Sequence, residues 1–222
     1  MFPLRDSERS QTKPFVTITL VVINLLAFFY EVSLDDFSLH QFLSEWGTVP
    51  RDFHFVSVLT SMFLHGGWMH VLGNMWFLWI FGDNVEDILG HGQYLLFYLL
   101  CGTAGGLLHV YFNPGSSLPA IGASGAISGV MGAYLVSFPR ARIHTLIFFV
   151  VFMTTIEVPA LLMIGFWFAV QLFSGFGQVA SASTQQGGTA WFAHVGGFVA
   201  GVALIKFLPT RPRLQIRQEN RW

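Results

Sequence analysis

The chain has 222 residues, of which 53% are hydrophobic and only 10% are charged. Soluble domains carry about 25% charged residues, so this composition indicates a membrane protein and excludes an ordinary soluble domain. The formal net charge of -1 indicates no nucleic-acid partner, and the single cysteine, Cys101, cannot form an internal disulfide.

Six apolar segments approach the length of about 20 residues that a membrane-spanning helix needs. The first follows basic residues, as a signal peptide would, but it ends without a small-residue cleavage site, so we interpret it as a retained anchor. We predict an all-α membrane protein, a single domain over residues 1–210 followed by a basic cytoplasmic tail at 211–222. The predicted spans cover residues 15–30, 58–81, 94–112, 124–138, 159–173 and 190–208.

Three segments between these spans have a different character. Residues 31–56 mix charged and apolar side chains, which is typical of short amphipathic pieces in the membrane interface. Residues 141–158 are apolar but interrupted. Residues 174–189 are small and polar and predict a flexible loop, which we expect to act with the outer end of the fifth span as a gate.

The basic residues predict the orientation. With six spans both termini lie on one side of the membrane, and ten of the eleven Lys and Arg residues then share that side, with only Arg51 opposite. Both termini are therefore predicted to be cytoplasmic. Residues 82–92 would form a cytoplasmic loop that is acidic, but acidic residues contribute little to this rule.

A serine and a histidine stand among small residues on two of these spans. Ser124 lies 16 residues before Arg140, and His194 lies 15 residues before Pro209. At about 1.5 Å per residue, both lie roughly 22–24 Å above the inner interface. A serine and a histidine at one depth suggest a nucleophile and its base. The alternative is a serine that only fills a contact between helices.

Small residues on the fourth and sixth spans, and two polar residues on the second, support this pairing. Gly125 and Gly129 on the fourth span, and Gly197 and Gly201 on the sixth, have the spacing that lets two helices approach closely. His70 and Asn74 are four residues apart and share one helix face in the outer half of the second span. They are either oxyanion donors or structural hydrogen-bonding groups between helices.

Together these motifs resemble the rhomboid family of intramembrane serine proteases. The resemblance covers nearly the whole chain. It rests on His65-Gly66-Gly67-Trp68-Met69-His70, Asn74, Gly82 with Glu86, Gly122-Ala123-Ser124-Gly125, Ala193-His194, Gly197 and Gly201.

The resemblance implies a six-helix bundle with a Ser–His dyad and no aspartate. Ser124 would be the nucleophile and His194 the general base and acid, while His70, Asn74 and the Ser124 backbone N–H would form the oxyanion hole. The glycines Gly122, Gly125, Gly129, Gly197 and Gly201, together with Glu86, would be structural motif positions. The fourth span would be a short helix starting inside the bundle, and no metal or cofactor is expected.

The implied reaction is cleavage of transmembrane segments near the outer face of the bilayer. The partners would be single-pass or multi-pass membrane proteins and the lipid bilayer. We expect a multi-pass protein of a bacterial inner membrane, with its site open to the non-cytoplasmic side. One alternative is a non-catalytic relative that only binds membrane proteins. Another is a transporter or channel using Glu157, His144 and His109.

Two positions depart from the family pattern. Many members carry Trp-Arg shortly before the second span, where this chain has Val56-Ser57. Some members place an aromatic residue one turn after the nucleophile, stacked on the histidine, and here that position is Ser128. The first difference concerns how the first loop is anchored, and the second concerns what orients His194, for which packing or a hydrogen bond are the alternatives.

Overall fold

The computed structural model describes residues 2–149, 152–180 and 190–211, and it is mostly helical. A 3₁₀ turn at Ser61–Phe63 follows the short helix Phe55–Thr60. The elements in chain order are β1 (Phe2–Asp6), α1 (Phe15–Ser33), α2 (Asp36–Trp46), α3 (Phe55–Thr60), α4 (Trp68–Leu89), α5 (His91–Phe112), α6 (Ser124–Ser137), β2 (Arg142–Phe149), β3 (Phe152–Pro159), α7 (Ala160–Ala180) and α8 (Trp191–Phe207).

Helices α6 and α8 form the centre of the bundle, and α5 packs against both. Their close approach depends on the glycines of the two helices. A Cβ at Gly197 would overlap the carbonyl oxygen of Gly125, and a Cβ at Gly201 would overlap that of Gly129. Any larger residue at Gly197 or Gly201 would therefore push α6 and α8 apart.

Helix length and hydropathy in the described ranges distinguish two groups of helices. Two of them, α1 and α5, are long and apolar enough to cross a bilayer. The segments Phe55–Phe63 and Trp68–Leu89 would together count as a third, bent by 88°. Three apolar helical stretches are shorter: α6 (Ser124–Ser137), the part of α7 from Ala160 to Gly175, and α8 (Trp191–Phe207). Six spans and the orientation of the termini therefore stay predictions.

The second predicted span is wrong at both ends. Residues 58–81 do not form one helix, because the chain breaks between Phe63 and Trp68, where Gly67 has a φ of 147° that favours glycine. At the other end α4 runs on to Leu89 through the segment predicted as an acidic loop. The helix continues there because Asp87 accepts hydrogen bonds from the N–H groups of the N-terminal segment, including that of Thr12 at 2.9 Å.

Glu86 joins three helices at this end of the bundle. Its fully buried carboxylate accepts the N–H groups of Val16 and Thr17, each at 2.8 Å, and the hydroxyl of Thr17 at 2.7 Å. It also lies 2.6 Å from Nδ1 of His91. The first turn of α1 follows Pro14, which supplies no side-chain cap, so Glu86 satisfies N–H groups that the helix itself leaves unpaired.

The expectation of an all-α chain holds for most of the described residues but is wrong at Arg142–Phe149 and Phe152–Pro159, which form two strands. Strands β2 and β3 are antiparallel, with Ile143 opposite Val158, and β1 from the N-terminus pairs with the other edge of β2. In β2 the side chains of Ile143 and Thr145 are buried, whereas that of Arg142 is exposed. Alternation with period two and β-branched residues favour a strand over a helix.

The fifth span and the tail differ from their predicted bounds. Helix α7 continues to Ala180, so residues 174–180, predicted as part of a loop, are helical. The remainder of that predicted gate loop, residues 181–189, lies outside the described residues. Of the predicted tail only Arg211 is described, and its N–H donates to the carbonyl of Ile88 at 2.7 Å. Residues 212–222 lie outside the described part of the chain.

Candidate active site

The loop before α6 sets the position of Ser124. Gly122 has a φ of 123°, which favours glycine, and its N–H donates to the carbonyl of Ser61 at 2.8 Å. Ser124 is then the first residue of α6, so its backbone N–H belongs to the first turn and has no intrahelical acceptor. An N–H group in this position is available to an anion.

The structure brings Ser124 and His194 into direct contact. Oγ of Ser124 lies 2.7 Å from Nε2 of His194, although the two residues are 70 positions apart. His194 is buried on the first turn of α8. The contact follows from the glycine packing of α6 and α8, which places the N-terminal ends of both helices side by side.

A residue that the sequence analysis missed completes the contacts of His194. Oε1 of Gln171, buried on α7, lies 2.6 Å from Nδ1 of the imidazole. The one available signal was a lone glutamine in the apolar segment 159–173. Of the two alternatives for orienting His194, packing or a hydrogen bond, the hydrogen bond is present, and its partner is Gln171 on α7.

Ring packing on His194 also comes from α7. The ring centroid of Trp167 lies 5.8 Å from that of His194, with the ring planes inclined by 35°. Ser128, which stands where some members carry an aromatic residue, instead donates its hydroxyl to the carbonyl of Ser124 at 2.5 Å. An aromatic ring thus reaches the imidazole from a different helix.

His70 and Asn74 both lie beside the loop that precedes Ser124. The site of a Cβ on Gly122 would be 2.7 Å from Nε2 of His70 and 3.6 Å from Nδ2 of Asn74. Nδ1 of His70 accepts the N–H of Gly66 at 3.3 Å, so in the neutral ring Nε2 carries the proton and is a donor. Nδ2 of the buried Asn74 has no hydrogen-bond partner within the described residues.

These side chains line one open cavity. Its volume is about 840 Å³, and His70, Asn74, Ser124, Trp167 and His194 are all part of its wall. The wall is mostly apolar, but the polar groups of His70, Asn74, Ser124 and His194 face an open space inside the bundle, where water is tolerated as it is not against lipid. The cavity is large enough for water and several side chains of a second polypeptide.

The first loop is anchored without the Trp-Arg pair. The backbone of Thr48 pairs in both directions with that of Ala120, at 3.0 and 2.9 Å. The hydroxyl of Thr48 donates to the carbonyl of Ser57 at 3.1 Å. Ala120 lies two residues before Gly122, so the first loop supports the segment that leads to Ser124.

Of the three residues considered for ion transport, the structure brings two together and places the third on a different element. Glu157 and His144 face each other across the β2–β3 hairpin at 3.8 Å. His109 lies on α5 and bonds with Asn113, the residue that follows the end of this helix. No group of three or more His, Cys, Asp and Glu side chains in the described ranges could hold a metal ion.

The fold and the site define a class, the helical membrane proteins in which a buried histidine contacts a half-buried serine at the wall of an open cavity. The Rhomboid domain family model matches residues 52–211. The chain is 28% identical over 192 residues to "Rhomboid protein 1, mitochondrial" of Saccharomyces cerevisiae, covering 82% of this chain and 52% of that protein. It is 32% identical over 196 residues to "Rhomboid protease GluP" of Bacillus subtilis, covering 86% of this chain and 35% of that protein. The chain belongs to the rhomboid family, and the resemblance inferred from its motifs is confirmed.

The relatives also bear on the cellular location. A further similar protein, "RHOMBOID-like protein 6, mitochondrial" of Arabidopsis thaliana, is 36% identical over 91 residues, which cover 41% of this chain and 29% of that protein. The chain is an integral membrane protein. Its relatives include mitochondrial proteins as well as a bacterial one, so they do not support the expectation of a bacterial inner membrane. The alignments span 52% and 35% of the first two relatives, so activity and substrates are matters for proposal.

Proposed function

We propose that this chain is an intramembrane serine endopeptidase that uses Ser124 as nucleophile and His194 as general base and acid. The observation that carries the proposal is the 2.7 Å contact between Oγ of Ser124 and Nε2 of His194 at the wall of an open cavity. A nucleophile and base within hydrogen-bond reach, with the base oriented by a third group, is the arrangement expected for covalent catalysis.

The first half-reaction forms an acyl-enzyme. Nε2 of His194 takes the hydroxyl proton of Ser124 as Oγ attacks the carbonyl carbon of the scissile peptide. The negative charge moves to the carbonyl oxygen, beside the N–H of Ser124 and the donors of His70 and Asn74. The imidazolium then gives the proton to the departing amine, which leaves with the C-terminal fragment of the substrate.

The second half-reaction needs water below the membrane surface. Water that enters through the open cavity attacks the acyl carbon while Nε2 of His194 takes one of its protons. The tetrahedral intermediate collapses, Oγ of Ser124 regains the proton from the imidazolium, and the N-terminal fragment leaves as a carboxylic acid. Both half-reactions use only water, the backbone N–H of Ser124 and side chains that line the cavity.

The proposed substrates are transmembrane segments of other membrane proteins. A helical segment has all its peptide groups hydrogen-bonded internally, so it must unwind locally before Ser124 can reach a carbonyl. Small or helix-breaking residues near the scissile bond should therefore favour cleavage. The proposal includes six spans, cytoplasmic termini and a site that opens to the opposite side, near the outer face of the bilayer.

The test is cleavage of a transmembrane reporter by the purified protein in proteoliposomes. Ser124→Ala and His194→Ala should abolish cleavage, and Ser124→Ala should abolish labelling by a fluorophosphonate probe, which reacts with activated serines. Ser137→Ala, at the other end of α6, is the matched control and should cut normally. Cleavage by the purified Ser124→Ala protein would overturn the assignment. A wild-type protein that binds the reporter without cutting it would favour the non-catalytic alternative.

A further inference from the structure

We propose that Gln171 is a positioning residue of this site, which holds the imidazole of His194 in the tautomer whose unprotonated Nε2 faces Ser124. The inference rests on the proposed function. Gln171 does not touch the reacting atoms, and it acts only through the histidine ring.

The hydrogen-bond pattern leads to this tautomer. An amide oxygen only accepts hydrogen bonds, so Oε1 of Gln171, 2.6 Å from Nδ1 of His194, requires a proton on Nδ1. A neutral imidazole carries one proton, which leaves Nε2 as the acceptor for the Ser124 hydroxyl at 2.7 Å. The reverse tautomer would place a proton on the nitrogen that must act as base.

An amide suits this position better than the carboxylate of a Ser-His-Asp triad. A charged side chain at this depth of a bilayer would be costly, and Gln171 is 6% exposed on an apolar helix. A neutral amide orients the ring and selects the tautomer without placing a charge beside it. Its contribution is therefore smaller than that of a triad aspartate, whose replacement by asparagine costs about 10⁴-fold in kcat.

The position of Gln171 also links the base to the packing of α7. The amide comes from α7 and the histidine from α8, and the stacked rings of Phe168 and Phe198, with centroids 4.2 Å apart, join the same two helices. Moving the outer part of α7 away from α8 would withdraw the acceptor from Nδ1. The base is then correctly oriented only while α7 is packed.

The kinetic test compares Gln171→Met, which keeps the length of the side chain but loses the amide acceptor, with Gln171→Glu, which keeps an acceptor. We expect kcat of Gln171→Met for a transmembrane reporter to fall about 10–100-fold with KM nearly unchanged, by analogy with residues that orient metal-binding histidines. Gln171→Glu should regain most of kcat, and the acid limb of its pH profile should move to higher pH, because a carboxylate stabilises the imidazolium.

Phe168→Leu is the matched control for packing between α7 and α8. It should lower the melting temperature while leaving the acid limb of the pH profile in place. If Gln171→Met keeps the wild-type kcat and pH profile, the proposal is overturned. The proposal is also overturned if Phe168→Leu and Gln171→Met lower the melting temperature by the same amount and also lower kcat by the same factor. The loss of kcat in Gln171→Met would then follow from reduced stability alone.

A second measurement needs no activity. The sample is Ser124→Ala protein labelled with ¹⁵N-histidine, and comparison with a Ser124→Ala/His194→Ala protein identifies the His194 signals. The ¹⁵N chemical shifts of His194 should show a proton on Nδ1. Adding Gln171→Met should remove this preference for Nδ1. A proton on Nε2 would overturn the proposal. A wild-type protein that neither cuts nor is labelled refutes the proposed function, whereas an active enzyme indifferent to Gln171 refutes only this inference.

Discussion

Asn74 carries the strongest residue-level indication that the site binds something. A buried amide N–H without a partner costs about 1–3 kcal/mol, and Nδ2 of Asn74 is in this state within the described residues. The group lies beside Gly122, on the side of the cavity that holds Nε2 of His70. Such a cost is offset when an oxyanion forms next to the donor, which is the behaviour that transition-state stabilisation requires.

The first prediction follows from this. Asn74→Ala should lower kcat by about 10²–10³-fold with KM changed little, because the lost hydrogen bond forms mainly in the transition state. His70→Ala should act in the same direction. Steady-state kinetics on a transmembrane reporter measure both, with a thermal melt as the control for folding. Normal turnover in a protein of reduced melting temperature would show that these side chains are structural.

At the scale of elements, the contacts of α7 beside His194 bear on the gate that its sequence predicted. The bulky residues of this span predicted that trimming Trp167 or Phe173 would loosen a gate and speed cleavage. In the structure Trp167 packs near His194 and lines the cavity. Phe173 is 75% exposed, so its removal would break few packing contacts between helices. The two substitutions should therefore differ.

The second prediction separates these two side chains. Trp167→Ala should lower kcat about 10-fold, since the ring beside the base is lost and the cavity widens. Phe173→Ala should leave kcat within about twofold of wild type, because so exposed a side chain makes few packing contacts. Initial rates with one reporter compare them directly. Faster cleavage by both variants would support the original gate prediction instead.

The third prediction concerns the attachment of β1. The carboxylate of Asp6 accepts the hydroxyl of Tyr134 at 2.6 Å and the amide of Asn84 at 2.9 Å. Burial raises the pKa of Asp6 from 3.8 to about 7, opposed by the Tyr134 hydrogen bond and assisted by the neighbouring carboxylates of Asp83 and Glu8. A raised pKa means that the folded state binds the proton more tightly than the unfolded state does. The stability from this group is therefore complete below about pH 4 and is lost as the pH rises to about 7.

Asp6→Asn tests this dependence, because the amide oxygen accepts the same hydrogen bonds and does not titrate. Thermal unfolding in detergent between pH 5 and 8 should show a wild-type melting temperature that falls with rising pH more steeply than that of the variant. Parallel curves for the two proteins would contradict the assignment of this pH dependence to Asp6.

For the whole molecule, orientation is the property that the fold alone does not decide. Ten of eleven basic residues share one predicted side, and this asymmetry predicts cytoplasmic termini. Ser117 and Thr210 are exposed in loops on opposite predicted sides. Their accessibility therefore measures the orientation.

The fourth prediction uses these two positions. In a Cys101→Ala background, spheroplasts of a bacterial host should allow a membrane-impermeant maleimide to label Ser117→Cys at once. Thr210→Cys should be labelled only after permeabilisation. The reverse pattern would show that the site opens toward the cytoplasm, and equal labelling of both positions in intact spheroplasts would contradict a single orientation.

The sequence by itself determined the class of protein, the approximate places of most helices, and the pairing of Ser124 with His194. These features depend on properties that act along one segment, namely hydropathy, the rise of 1.5 Å per residue and the small faces that let two helices meet. A depth along a helix axis can be counted from residue numbers, so two residues at equal depth on helices with matching glycine faces were predictable neighbours.

Only the tertiary structure decided the contacts between distant segments. Gln171 was one polar residue in an apolar run until α7 was placed against α8, because the rotation of a helix about its axis is set by its neighbours. The acidic end of α4 is helical because Glu86 and Asp87 find N–H partners in the N-terminal segment about 70 residues earlier in the chain. Strand β1 forms because the hairpin, more than a hundred residues later, offers it an edge. A local pattern shows that a polar group needs a partner, but which partner it meets depends on how the whole chain packs.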